Sequence, residues 1–169
     1  ETLREVASSI DGGIDACLLD IAKQNIATED MTVISSFVLG AIVQICRPDN
    51  FFLIASLIIE KLTTTYFKPE YEGEEEVANE LIGWFDYIQS EEYVPAEFVR
   101  IIAPTFKILP IGRNGKPIVT DHIDKALTVL CKIKNDEAKQ AVVAQLGYED
   151  DRIRHWFEVA LVRCWKSKD

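Results

Sequence analysis

Histidine is nearly absent from this chain: two in 169 residues, His122 and His155. An imidazole-based metal set or acid–base relay has little to draw on. Asp121-His122-Ile123-Asp124 comes nearest to a ligand cluster. On a helix, however, the two aspartates share a face and His122 points about 100° away, so capping explains the first turn better. No cysteine belongs to a CxxC pair. Gly112-Arg113-Asn114-Gly115-Lys116 has the wrong spacing for a phosphate loop and enters no strand-to-helix turn. With no nucleophile–base pair, paired carboxylates or metal set, no catalytic residue, metal or cofactor is expected and the chain is not read as an enzyme.

Long uncharged runs are also missing. Val33–Cys46 and Phe51–Ile59 are each shorter than the ~20 residues a bilayer requires. Ser35, Ser36, Gln44 and Ser56 break them further. They read instead as a buried helical hairpin around Arg47-Pro48-Asp49-Asn50. Pro48 is expected to end its first helix, and Asp49 or Asn50 to cap its second. No Asn-x-Ser/Thr sequon occurs. Cys17, Cys46, Cys131 and Cys164 all lie in apolar helical patterns. These features predict buried free thiols and an intracellular home, in cytoplasm or nucleus. The chain starts at Glu1-Thr2-Leu3 without Met and is expected to be a fragment of a longer protein.

What is present is an apolar fraction of 48% with 27% charged residues, the balance of a globular domain. We read residues 1–169 as a single all-α domain. The net charge of −10 is uneven: residues 1–85 carry fifteen acidic and five basic side chains, residues 86–169 thirteen of each. An acidic front half disfavours nucleic acid and anionic membranes there and permits a basic partner.

Apolar spacing is helical almost throughout. Leu3–Ile10 and Ile14–Ile21 form stripes joined across Gly12-Gly13, and a second element runs from Thr28 or Asp30 to Cys46. A third runs from Asn50 to Phe67. The fourth opens on Glu74-Glu75-Glu76, which suits a helix dipole, and presents Val77, Leu81, Trp84, Phe85 and Ile88. Pro95 starts a fifth with Phe98, Val99, Ile101, Ile102 and Phe106, interrupted by Pro104. Leu109–Thr120 is a loop whose Asn114-Gly115 wants a tight turn. A short hairpin of Ile108–Ile111 against Lys116–Val119 is possible there. Thr120 or Asp121 caps a sixth helix with Ile123, Leu127, Leu130 and Cys131 inward. Asn135 or Asp136 caps a seventh that stops at Gly147. The last presents Ile153, Trp156, Phe157, Ala160, Leu161 and Cys164. These make about eight helices in antiparallel pairs recurring at about 45 residues. That period matches HEAT- or armadillo-like right-handed repeats of ~40–47, and a compact helical bundle fits equally.

The candidate partner surface is Tyr66, Glu70, Tyr71, Glu72, Glu74, Glu75 and Glu76, with Trp84 and Tyr87 behind them. It suits a Lys/Arg-rich or amphipathic peptide through charge and cation–π contact. Trp165 falls off the inner stripe of the last helix and is a second candidate contact. The expected function is a non-enzymatic protein–protein interaction module, a scaffold or adaptor of a larger intracellular complex. One alternative is a self-associating homodimer domain. The other is an RNA-associated scaffold using the basic residues Lys132, Lys134, Lys139, Arg152, Arg163, Lys166 and Lys168.

Overall fold

A computed structural model describes residues 48–67, 74–111 and 120–166, with positions 24, 115 and 117. The helices expected over 3–21 and 28–46, with Cys17 and Cys46, lie outside the described residues, as do Glu70, Tyr71 and Glu72. The described chain is all-α: α1 Pro48–Tyr66, α2 Glu74–Ser90, α3 Phe98–Ile102, α4 Asp121–Ile133, α5 Asp136–Val143 and α6 Asp151–Trp165. A 3₁₀ turn, Ala103–Lys107, follows α3 directly. No described helix is long and apolar enough to cross a membrane. The chain divides into two compact units, Glu1–Lys61 and Leu62–Asp169.

In α1 the expected cap is corrected. Pro48, Asp49 and Asn50 are themselves helical, so neither Asp49 nor Asn50 caps the helix from outside. In a first helical turn a proline's missing N–H has no intrahelical acceptor to lose. Phe51, Ile54, Ala55, Ile58, Ile59 and Leu62 are buried, and the helix persists through the β-branched Thr63-Thr64-Thr65 to Tyr66.

Within the second unit, α4 is the shared surface. It packs against α2, α3, α5, α6 and the 3₁₀ turn. Its buried face is His122, Ile123, Ala126, Leu127, Val129 and Leu130, residues at three-and-four spacing that fall on one side of the helix. Opposite them, α2 buries Val77, Ala78, Leu81, Trp84, Phe85 and Ile88. From α6 come Ile153, Phe157, Ala160 and Cys164. Trp156 and Leu161, expected on that inner face, are only half-buried because they sit at its margins.

Local chemistry sets the boundaries. Pro104 has no N–H for the carbonyl four residues back, so α3 gives way to the 3₁₀ turn. The Asn135 side chain accepts from the Ala138 N–H at 2.7 Å and caps α5. Asp150 does the same for α6, accepting from the Arg152 and Ile153 N–H groups. The Arg152 guanidinium, with those N–H groups, holds the Asp150 carboxyl down at about 2. Lys134 ends α4 in the left-handed conformation (φ 51°), and its N–H donates to the Leu130 carbonyl at 2.9 Å. The glycine stop expected at Gly147 is corrected. α5 ends at Val143, and tight turns carry the chain to Tyr148. Of the hairpin expected in the long loop, the described residues show a single antiparallel bridge, Ile111 to Pro117. Gly115 beside it has φ +72°, where glycine is favoured.

The centre of the unit is aromatic. Phe106 and Phe157 meet edge to face at 5.0 Å, and Tyr148 stacks on Phe157 at 5.8 Å. The Tyr148 hydroxyl donates to the Phe106 carbonyl, which locks the 3₁₀ turn to the entrance of α6. Phe157→Ala is expected to cost about 3–5 kcal/mol by opening a cavity there. Asn135→Ala is expected to cost about 1 kcal/mol through loss of one cap. Urea unfolding of the two variants checks both values, and equal losses would contradict this picture of the core.

Candidate functional site

The predicted acidic–aromatic surface is only partly assembled. Tyr66 is half-buried, and its hydroxyl accepts from the Leu109 N–H at 3.0 Å. Its ring meets Phe67 edge to face at 5.0 Å. That hydroxyl is therefore committed to holding the loop after the 3₁₀ turn. Trp84 is 4% exposed and belongs to the core. It lies three residues after Leu81 and four before Ile88, on the face that meets α4. It supports Tyr87, whose ring lies 6.1 Å away and which is 45% exposed. Glu74 begins α2, and Glu75 and Glu76 after it are exposed.

Trp165 is not the exposed aromatic that its position implied. Its side chain is half-buried, and the indole N–H is shielded from solvent without an acceptor among the described residues.

The sequence reading named Glu76 and Tyr87 but missed Glu80 and Gly83, which join them in a line on α2. Glu76, Glu80, Gly83 and Tyr87 follow one another at four-, three- and four-residue steps, so they form one stripe roughly 16 Å long. Glu76, Gly83 and Tyr87 are exposed, and Glu80 is half-buried. Among the described residues neither Glu76 nor Glu80 pairs with a cation. Burial raises the Glu80 carboxyl above its ordinary range. A Cβ added at Gly83 would meet nothing within 4 Å, so packing does not require glycine there. Three locally unfavourable choices thus share one open face: like charges at four-residue spacing, a half-buried carboxylate and a mid-helix glycine. The signal was present as a glycine inside a strongly apolar helical pattern.

The far end of α2 is held by α4. The Lys132 ammonium donates to the Gln89 carbonyl at 2.9 Å and to that of Glu91. Lys125 pairs with Asp86 at 2.7 Å. The stripe therefore stands on a helix fixed from behind.

The Asp121–Asp124 cluster does not converge. Asp121 and Asp124 are exposed while His122 is 0% exposed and turned into the core. Among the described residues no three His, Cys, Asp or Glu side chains gather as a metal site. His155 is exposed, with Nδ1 3.6 Å from a Glu158 carboxylate oxygen. It borders a shallow groove of about 250 Å³ between α4 and α6, floored by Leu127 and Ala160 and flanked by Asp124 and Arg163.

The cysteine expectation is corrected. Cys131 of α4 and Cys164 of α6 are joined as a disulfide, with their Cα atoms 5.5 Å apart. Both sit where the two helices pack, a relation that a separation of 33 residues in sequence hides.

No protein-family model matches the chain, no curated protein matches it, and no solved structure matches it.

His122 makes the fold sensitive to acid. Neither ring nitrogen has a hydrogen-bond partner. Burial pulls its pKa from 6.5 to about 4, against the weaker opposing pull of the nearby Ile108 and Thr105 carbonyls. Between those values the unfolded chain binds a proton that the folded chain refuses. Stability present above pH 6.5 is therefore lost as the pH falls toward 4. The expected loss from this group is about 3 kcal/mol. Urea unfolding across that range should show a flatter profile for His122→Leu than for the parent, and identical slopes would refute the assignment.

Proposed function

We propose that this domain is a non-enzymatic protein–protein interaction module, and that it receives a Lys/Arg-bearing peptide or helix along the outer stripe of α2. The observation that carries the reading is the juxtaposition of Glu76, Glu80, Gly83 and Tyr87. A guanidinium or ammonium placed between Glu76 and Glu80 relieves their mutual repulsion and pairs the half-buried carboxylate. The bare backbone at Gly83 admits a partner's main chain at close range. Tyr87 closes the stripe with a ring face suited to a cation. Conflicts between local preference and fold concentrate where a surface is used, and this face holds several within one helix.

The architecture we favour for the second unit is a compact bundle rather than a HEAT- or armadillo-like stack. A solenoid gives each helix pair neighbours along one axis, whereas α4 meets four other helices. We propose an intracellular setting as scaffold or adaptor, with the acidic side chains Glu75, Glu76 and Glu80 of α2 itself disfavouring nucleic acid at this face.

The test is fluorescence anisotropy with labelled Lys/Arg-rich amphipathic peptides. Glu76→Lys with Glu80→Lys is expected to weaken binding at least tenfold and to remove most of its salt dependence. Gly83→Ala is expected to raise stability by about 0.5–1 kcal/mol while weakening binding, a split that a purely structural glycine would not give. Unchanged affinity in the charge-reversed variant would refute the reading.

A further inference from the structure

We propose that Cys131 and Cys164 form a redox modification site, a disulfide that opens and closes in the folded domain, with Cys131 as the reacting sulfur. The site stands apart from the α2 stripe, and three features mark it. First, the two sulfurs differ in access: Cys131 is half-buried at the edge of α4, whereas Cys164 is 9% exposed on the inner face of α6. An incoming thiol or peroxide therefore meets Cys131. Second, the Arg163 guanidinium lies 4.0 Å from Cys131 Sγ. Among the described residues Arg163 has no carboxylate partner. A cation at that distance favours thiolate over thiol once the bond is open, which makes Cys131 the better nucleophile in closing and the better leaving group when the mixed disulfide resolves. Third, the helices that carry the pair are held by more than the bridge. α4 and α6 are in contact, and each buries apolar side chains of its own, Leu127 and Leu130 on α4 and Ile153, Phe157 and Ala160 on α6. The helix pair has an apolar interface to fall back on when the bond is broken.

The chemistry balances with ordinary reagents. For opening, the thiolate of a reducing dithiol attacks Cys131 Sγ. The bond to Cys164 breaks, and the Cys164 thiolate takes a proton. The second thiol of the reductant, deprotonated, then attacks the reductant's own sulfur in the mixed disulfide. Cys131 leaves as a thiolate beside Arg163, and the reductant departs as its disulfide. For closing, the Cys131 thiolate attacks a peroxide oxygen. The O–O bond breaks, and the departing oxygen takes a proton as water or alcohol. Cys164 sulfur then attacks the Cys131 sulfenic acid, the S–S bond forms, and water leaves carrying the thiol proton.

Arg163 also flanks the α4–α6 groove. The same guanidinium therefore borders both the sulfur and that groove.

Differential alkylation with peptide mapping on the full chain tests this. After gentle reduction by dithiothreitol, iodoacetamide at pH 7 is expected to label Cys131 at least tenfold faster than Cys164. The reduced chain is expected to keep its helical circular dichroism. Hydrogen peroxide should restore the intramolecular bridge, read as a mass loss of two hydrogens. Arg163→Gln should slow Cys131 labelling several-fold, and Arg163→Lys should recover part of the rate. Equal labelling of the two cysteines would overturn the proposal, as would insensitivity to Arg163→Gln. Loss of helical structure on reduction would also overturn it, because the bridge would then be a structural staple.

Discussion

Everything in the second unit depends on burying one side of a short helix. α4 is only 13 residues long, yet four helices and a 3₁₀ turn use its surface. Its apolar face has to be continuous, and the alternation of bulky Ile123, Leu127 and Leu130 with the small Ala126 lets neighbours approach from different sides. His122 is the one polar side chain drawn into that face, and it stays neutral there because charge is costly in such surroundings. The helices around α4 keep their polar faces free for other uses because α4 meets their apolar ones.

That arrangement explains which parts of the molecule are legible in sequence. The α2 face of Val77, Leu81, Phe85 and Ile88 follows from periodicity alone, since tertiary packing there agrees with local pattern. The caps at Asn135 and Asp150 are legible for the same reason: a short polar side chain before an apolar stripe has few other uses. Periodicity misjudges the margins. Trp156 and Leu161 fit an apolar stripe, but the neighbours of α6 do not reach around it. The stop at Gly147 fails because a turn begins at Ala144, before the glycine is reached. The disulfide is invisible locally, since pairing depends on which helices meet and not on the residues flanking each cysteine.

The candidate surface was half legible. An acidic helix start is conspicuous, and Glu75 and Glu76 do lie open. The aromatic half was misplaced because Trp84 serves the core and the Tyr66 hydroxyl serves a backbone N–H. What unites Glu76 with Glu80, Gly83 and Tyr87 is helical phase, which becomes persuasive only once the opposite face is known to be occupied. The two exteriors that result, an acidic stripe on α2 and a sulfur–guanidinium site between α4 and α6, both lean on α4 from different directions.

The order of elements along the chain carries a kinetic consequence. α4, α5 and α6 are consecutive, and only Lys134 and Asn135 separate α4 from α5. The α4–α5 contact closes a short loop and forms early, whereas α6 returns to α4 over a separation of 33 residues at the disulfide. α2 reaches α4 across residues 91–120, a stretch holding Pro95, Pro104, Pro110 and Pro117. Its docking therefore closes a longer loop and comes later. The helix with the least comfortable outer face thus joins after the α4–α5 pair. Until it docks, the part of the α4 face that α2 covers stays open, and the folding chain is exposed to aggregation there.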